Sequence, residues 1–113
     1  MDKKSVILLL CIFSIGIFLR FYRLGSVPPS PSLDEVSIGY NAYSILKIGA
    51  DEYGYKTPIL LRAYDDWRPA LYVYSVIPFI PLLGLSAITV RLPAAIFGVL
   101  AILGTYLLVL ELF

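Results

Sequence analysis

The sequence predicts an all-α membrane protein with about three transmembrane helices and a long polar loop after the first. Hydrophobic residues make up 59% of the chain and charged residues 15%, whereas soluble domains average about 45–50% and about 25%. Three stretches without a charge, residues 6–19, 70–90 and 92–110, alternate with charged segments, and a helix that crosses a bilayer needs about 20 apolar residues. This layout predicts helices over residues 5–22, 70–86 and 92–112.

Composition also excludes several classes of function. The formal net charge is +1, and the basic residues are scattered, so the chain lacks the basic patch of a nucleic-acid-binding protein. It has no histidine and one cysteine, Cys11, which lies in an apolar run. A histidine-based metal site, a histidine acid–base pair and a disulfide framework are therefore excluded. Any proton transfer would need a carboxylate, a lysine or a tyrosine.

Residues 1–22 fit either a cleaved signal peptide or a permanent membrane anchor. A short basic start precedes 14 uncharged residues, as in both. No small-x-small cleavage site follows; instead Arg20 and Arg23 flank two aromatic residues, as at a membrane interface. We favour the anchor, with Lys4 and Arg20 extending their charged ends toward the headgroups.

The loop over residues 23–69 is predicted to contain one amphipathic helix that lies at the membrane interface or under other protein. Prolines at 28, 29 and 31 exclude a helix before Ser32. Ser32 and Glu35 form the S-x-x-E pattern of a capping box, and Gly49 is placed for a C-cap. These signals predict a helix over about 33–48, whose largely apolar and aromatic circumference must be covered.

The second and third predicted membrane helices differ in regularity. Pro78 and Pro81 interrupt the segment 70–86 and predict a kink. A turn is expected over 84–89, and Pro93 fits the first turn of the last helix. Small residues at helical spacing in that helix would let another helix approach closely: Ala94, Gly98, Ala101 and Thr105.

The charge pattern leaves the topology open. A cytoplasmic N-terminus makes the 23–69 loop extracytoplasmic and puts Arg91 at the inner membrane edge. Three basic residues would then lie inside and six outside, which opposes this orientation. However, the inner segments are short, and six acidic residues balance the basic residues of the loop. We favour the extracytoplasmic loop.

Each candidate site residue has a structural interpretation beside the functional one. Asp34 and Glu35 lie in a first helical turn, where carboxylates cap N–H groups, yet Asp34 is also placed to act as a general base. Arg68 either marks the interface or binds a phosphate. Asp51 and Glu52 are expected in a solvated turn, with a divalent cation as the alternative.

Seven tyrosines surround these candidate residues. They are interpreted chiefly as amphipathic residues of the interface, and stacking against a sugar remains open for one or two of them. The residues are Tyr40, Tyr43, Tyr53, Tyr55, Tyr64, Tyr72 and Tyr74.

Three segments, taken in order, carry a family resemblance: DEVSIGYNAYSILKIGADEYG, DDWRPALYVYSVIPFIPLLGL and VRLPAAIFGVLAIL. Together they resemble the N-terminal part of family 39 membrane glycosyltransferases. This group includes the protein O-mannosyltransferases and the aminoarabinose transferases of lipid A, and has the broader GT-C fold. The resemblance covers residues 34–104.

The resemblance implies a multi-pass enzyme of the cell membrane that takes a sugar from a polyprenyl-phosphate carrier on the extracytoplasmic side. The aspartate of the family's acidic motif matches Asp34, the expected base, and the following glutamate matches Glu35. Arg68 stands where the family has the lysine of a Lys-Pro-Pro-Leu motif, here Arg-Pro-Ala-Leu. Arg68 keeps the positive charge of that lysine, but its guanidinium differs in shape from the ammonium group of lysine. The resemblance implies no cofactor and no metal.

Length is the main departure from the family, whose members have about a dozen spans. We therefore expect a partial GT-C fold that is inactive alone, with the remainder of the family domain absent and other helices of the full enzyme as partners. The acceptor stays open. The alternative is a small non-catalytic membrane interaction protein or subunit that packs through its third helix.

Overall fold

The computed structural model describes residues 3–113, and 67% of them are helical. Two helices are long and apolar enough to cross a membrane. The elements in chain order are α1 (Lys3–Phe21), α2 (Leu33–Ile48), β1 (Leu60–Ala63), β2 (Asp66–Pro69), α3 (Leu71–Val76), a 3-10 turn (Ile77–Phe79), α4 (Ile80–Leu83) and α5 (Ala87–Leu112).

The chain divides into two compact units. One consists of the described residues up to Leu24 together with Ala94–Phe113, and the other is Gly25–Pro93. The first unit is called the helical pair below, and the second is called the central unit.

The helical pair contains α1 and the C-terminal part of α5. Glycines allow close approach within it, because a Cβ on Gly16 would overlap the Ile102 side chain and a Cβ on Gly98 would overlap Arg20. The predicted small-residue stripe is therefore already occupied at Gly98 by a side chain of this same chain. Most apolar side chains of both helices are exposed, as expected of surfaces that lipid covers.

The structure differs from the sequence prediction at residues 70–86. This segment forms helices of six, three and four residues, and it is not among the helices long enough to cross a membrane. Pro78 and Pro81 lie at the starts of the last two, where their missing N–H groups break the helical hydrogen-bond ladder. At about 1.5 Å per residue such a segment reaches about 20 Å, short of the ~30 Å hydrocarbon core.

The last helix also begins earlier than predicted, at Ala87. The Ser86 hydroxyl accepts a 3.4 Å hydrogen bond from the Thr89 N–H, which is the bond that an N-cap serine makes. Thr89 in turn donates to the Gly84 carbonyl at 2.8 Å. Pro93 therefore lies inside the helix and not in its first turn.

The central unit is built around α2, which has the boundaries and caps that the sequence predicts. Gly49 ends the helix in the left-handed conformation, with φ of 70°, and its N–H bonds the Ile45 carbonyl. Ala42 and Ile45 pack in a core with Leu61, Ala70, Val73, Val76, Ile80 and Val90. One face of α2 is thus covered by protein.

A two-stranded hairpin, which the sequence did not predict, follows the loop after α2. Strands β1 and β2 pair antiparallel, with Leu61 opposite Arg68. Leu61 and Ala63 are buried, whereas β2 is mostly exposed. The hairpin therefore packs its first strand on the core and presents Arg68 near the start of α2.

Candidate functional site

The start of α2 is held by a reciprocal capping box. The Glu35 N–H donates to the Ser32 hydroxyl at 3.2 Å, and the Ser32 N–H donates to Glu35 Oε2 at 2.8 Å. Two backbone donors that the helix leaves without partners are thereby satisfied. The cap fixes the first turn, and with it the backbone of Asp34.

Asp34 and Arg68, the candidate base and the candidate phosphate ligand, lie in direct contact. Arg68 Nη1 is 2.8 Å from Asp34 Oδ1. The contact joins the first turn of α2 to β2, across 34 residues of sequence. The Asp34 side chain is 61% exposed and the Arg68 side chain 34%, so both groups are open to a ligand. A pair this exposed contributes only about 0.2–1 kcal/mol to stability.

Glu35 has a different partner, which the sequence interpretation missed. Arg91 donates from Nε to Glu35 Oε1 at 2.6 Å and from Nη2 to Glu35 Oε2 at 3.1 Å. It also donates to the carbonyls of Pro28 at 3.1 Å and Ser30 at 3.4 Å. Its side chain is only 8% exposed. Arg91 therefore ties the proline-rich segment, the start of α2 and the first turns of α5 together.

These contacts set the ionisation of Glu35. The hydrogen bond from Arg91 is the largest influence that holds the pKa of the Glu35 carboxyl below its ordinary value of 4.5; burial opposes it, and the Ser32 N–H adds to it. Both carboxylate oxygens accept hydrogen bonds from the protein. The geometry suits Glu35 to positioning its neighbour, and leaves Asp34 as the more accessible carboxylate.

The Glu35–Arg91 pair also bears on topology. The sequence interpretation put residues 23–69 outside the membrane and Arg91 at its inner edge, with a span between them. In the structure the two side chains touch within the central unit. Arg91 is therefore an ion-pair partner inside the central unit.

A small cavity adjoins the exposed pair. It has a volume of about 140 Å³, and its lining includes Arg68 together with Ser37 and Asn41 of α2. Asp34, Ser37 and Asn41 follow one another at helical spacing along one face of α2. The pair thus stands at the edge of a partly polar recess.

The turn after α2 is more ordered than the sequence suggested. Asp51, expected to be solvated, is 2% exposed, and its Oδ1 accepts from the N–H groups of Tyr53 and Tyr55 at 3.0 and 2.8 Å. Asn41 clamps Glu52 by donating to Oε1 at 2.9 Å and accepting from its N–H at 3.1 Å. Within residues 3–113, no three acidic or cysteine residues cluster as metal ligands would.

No protein-family model, curated protein or solved structure matches this chain. Function is therefore inferred from the geometry of the central unit and from the resemblance in the sequence.

Proposed function

We propose that this chain is the N-terminal, base-bearing part of a membrane glycosyltransferase that uses a polyprenyl-phosphate-linked sugar as donor. The acceptor is a hydroxyl or a phosphate on the extracytoplasmic side, and the anomeric carbon is inverted. The observation that carries the proposal is the 2.8 Å contact between Asp34 and Arg68. A base and a cation suited to phosphate lie side by side at an exposed site.

In the proposed reaction Asp34 accepts the proton of the acceptor oxygen as that oxygen attacks the anomeric carbon. The bond from this carbon to the phosphate oxygen breaks, and its electron pair leaves with the lipid phosphate. Arg68 stabilises the charge that grows on the phosphate. A guanidinium has five N–H donors, and Arg68 uses Nη1 toward Asp34. It can therefore bind a phosphate without releasing the base.

Glu35 and Arg91 support this site without touching the reacting atoms. Their paired hydrogen bonds fix the first turn of α2, so the Asp34 backbone keeps one orientation toward β2. Catalysis depends on such positioning, because a displacement of about 1 Å can lower a rate about 100-fold.

The proposal includes a multi-pass membrane location with the central unit outside. The two apolar helices would be the first spans of a larger GT-C domain, supported by their lengths of 19 and 26 residues. The alternative, a small interaction protein that packs through α5, has less support. Its small-residue stripe already carries the Arg20 side chain at Gly98.

The test is sugar transfer in membranes of the host that carries the gene. Asp34→Asn is introduced at the native locus, and transfer from a radiolabelled polyprenyl-phosphate sugar is measured. We expect a loss of about 100- to 10,000-fold, the range for a lost general base. Asp65→Asn is the matched control, since the Asp65 side chain is fully exposed at 105% and should leave transfer unchanged.

Full transfer by a correctly folded Asp34→Asn variant would overturn the assignment of the base. Folding is checked on the purified 113-residue chain by the emission of Trp67, its one tryptophan, which lies in β2 beside Arg68. Arg68→Met separates the role of the phosphate ligand from that of the base, because it should weaken the use of the lipid donor more than the use of the acceptor.

A further inference from the structure

The central unit has a second recess, which shares Ser37 with the first and which the proposed chemistry does not use. It has a volume of about 280 Å³ and is lined by Val36, Ser37, Tyr40, Glu52, Tyr53 and Tyr64. We propose that this recess, here called the tyrosine groove, binds one pyranose ring of a carbohydrate. The sequence left sugar stacking open for one or two of seven tyrosines without choosing among them, and three of the seven line the groove.

The three tyrosines come from three separate elements. Tyr40 lies on α2, Tyr53 in the turn after it and Tyr64 between the two strands. Their exposures are 54%, 49% and 54%, so folding brings the rings together without burying them. Aromatic faces carry partial negative charge and attract the C–H groups of a sugar face. The hydroxyls add hydrogen-bond partners at the rim.

Glu52 gives the groove a fixed carboxylate. Asn41, which is 2% exposed, donates to Glu52 Oε1 at 2.9 Å and accepts from the Glu52 N–H. These bonds hold the residue by its backbone and one oxygen. A pre-positioned carboxylate is a strong acceptor for sugar hydroxyls, since hydrogen bonds to charged groups are the stronger ones.

Charge balance favours a neutral ligand over a cation. Tyrosines around a carboxylate could also form a cage for an ammonium group. However, the Arg62 guanidinium lies 5.4 Å from the Tyr53 ring centre, so a cation already faces one of the three rings and would repel a second cation. An uncharged, hydroxyl-rich ring suits this balance better than a cation does.

Size and position agree with one sugar ring near the candidate base. The volume of 280 Å³ is just below the ~300–1,000 Å³ of drug-sized ligand sites. The Tyr64 hydroxyl donates to the Leu33 carbonyl at 3.3 Å, one residue before Asp34. The choice of a carbohydrate rests in part on the proposed function; its binding does not require transfer.

Binding is measured on the full chain in lipid nanodiscs by saturation-transfer-difference NMR. The probes are the methyl glycosides of mannose, glucose, galactose and N-acetylglucosamine, with tetramethylammonium as the cationic probe. At least one glycoside should give signals on its ring protons. Tyr53→Ala should weaken binding about 2- to 12-fold, the effect of losing one aromatic contact, and Glu52→Gln should weaken it as well.

Tyr55→Ala is the matched control, because Tyr55 is similarly exposed at 55% but does not line the groove. Val36→Trp fills the groove without removing a contact, so it should abolish binding even where Tyr53→Ala unfolds the turn. Three results would overturn the proposal: no glycoside binds, binding survives Val36→Trp, or tetramethylammonium binds in preference. Because no turnover is measured, a failed transfer assay leaves this result interpretable by itself.

Discussion

Replacing Arg91 should destabilise the central unit far more than replacing Arg68. Arg91→Met leaves Glu35, whose side chain is 23% exposed, without its cation, and removes the donors to Pro28 and Ser30. Removing one partner of a buried ion pair costs about 3–5 kcal/mol. Because water reaches part of the Glu35 carboxylate, we expect the lower end, about 3 kcal/mol.

Urea unfolding in detergent, followed by the fluorescence of Trp67, measures this loss within the central unit. Arg68→Met is the matched control. Losing its exposed ion pair with Asp34 should lower the free energy of unfolding by only about 0.2–1 kcal/mol. The double variant Glu35→Met/Arg91→Met should be more stable than Arg91→Met alone, since an apolar pair leaves no buried charge. Equal losses for Arg91→Met and Arg68→Met would refute the assignment of Arg91 as an internal anchor.

Two further predictions concern the same packing. The pKa of the Glu35 carboxyl is held below 4.5 in the folded chain. Its contribution to the free energy of unfolding is therefore fully present above that pH and is lost as the pH falls through the lowered pKa. Glu35→Gln should flatten this part of the profile of stability against pH. Gly39→Ala would place a Cβ 2.9 Å from Val90 Cγ2, and overpacking of about 1–3 kcal/mol should exceed the ~1 kcal/mol that alanine gains in a helix. Gly104→Ala, which also lies in a helix and meets nothing within 4 Å, should not lower the urea midpoint.

Local signals in the sequence predicted α2 well. Its start depends on Ser32 and Glu35 and its end on Gly49, and each acts on backbone groups within four residues. Such interactions are set by sequence spacing alone. The same holds for α1, which follows from an uninterrupted apolar run.

Interactions between distant residues could not be read in the same way. Glu35 and Arg91 are 56 residues apart, and no sequence feature near either residue indicates the other as its partner. The hairpin has strands of only four residues, which are too short to show a clear alternation of apolar and polar residues. One signal was available: Arg91 is the one charged residue between Arg68 and Glu111, and a charge in so apolar a sequence usually has a partner.

At residues 70–86, an uncharged run fits both a membrane span and a segment of a protein core. Its apolar residues Val73, Val76 and Ile80 pack in the core of the central unit. Buried core positions and lipid-facing positions both exclude charge, so composition does not separate them. Pro78 and Pro81, which predicted a kink, lie where the helical segment Leu71–Leu83 passes from one helical piece to the next.

Cysteine labelling of right-side-out membrane vesicles tests whether the Asp34–Arg68 site faces the extracytoplasmic space in one unit with Arg91. In a Cys11→Ala background, a membrane-impermeant maleimide is applied to Asp65→Cys, in the hairpin turn, and to Leu85→Cys, which is 49% exposed just before α5. We predict that both are labelled in intact vesicles. Labelling of Leu85→Cys only after permeabilisation would restore the three-span topology, and protection of both cysteines would contradict the proposed extracytoplasmic position of the candidate site.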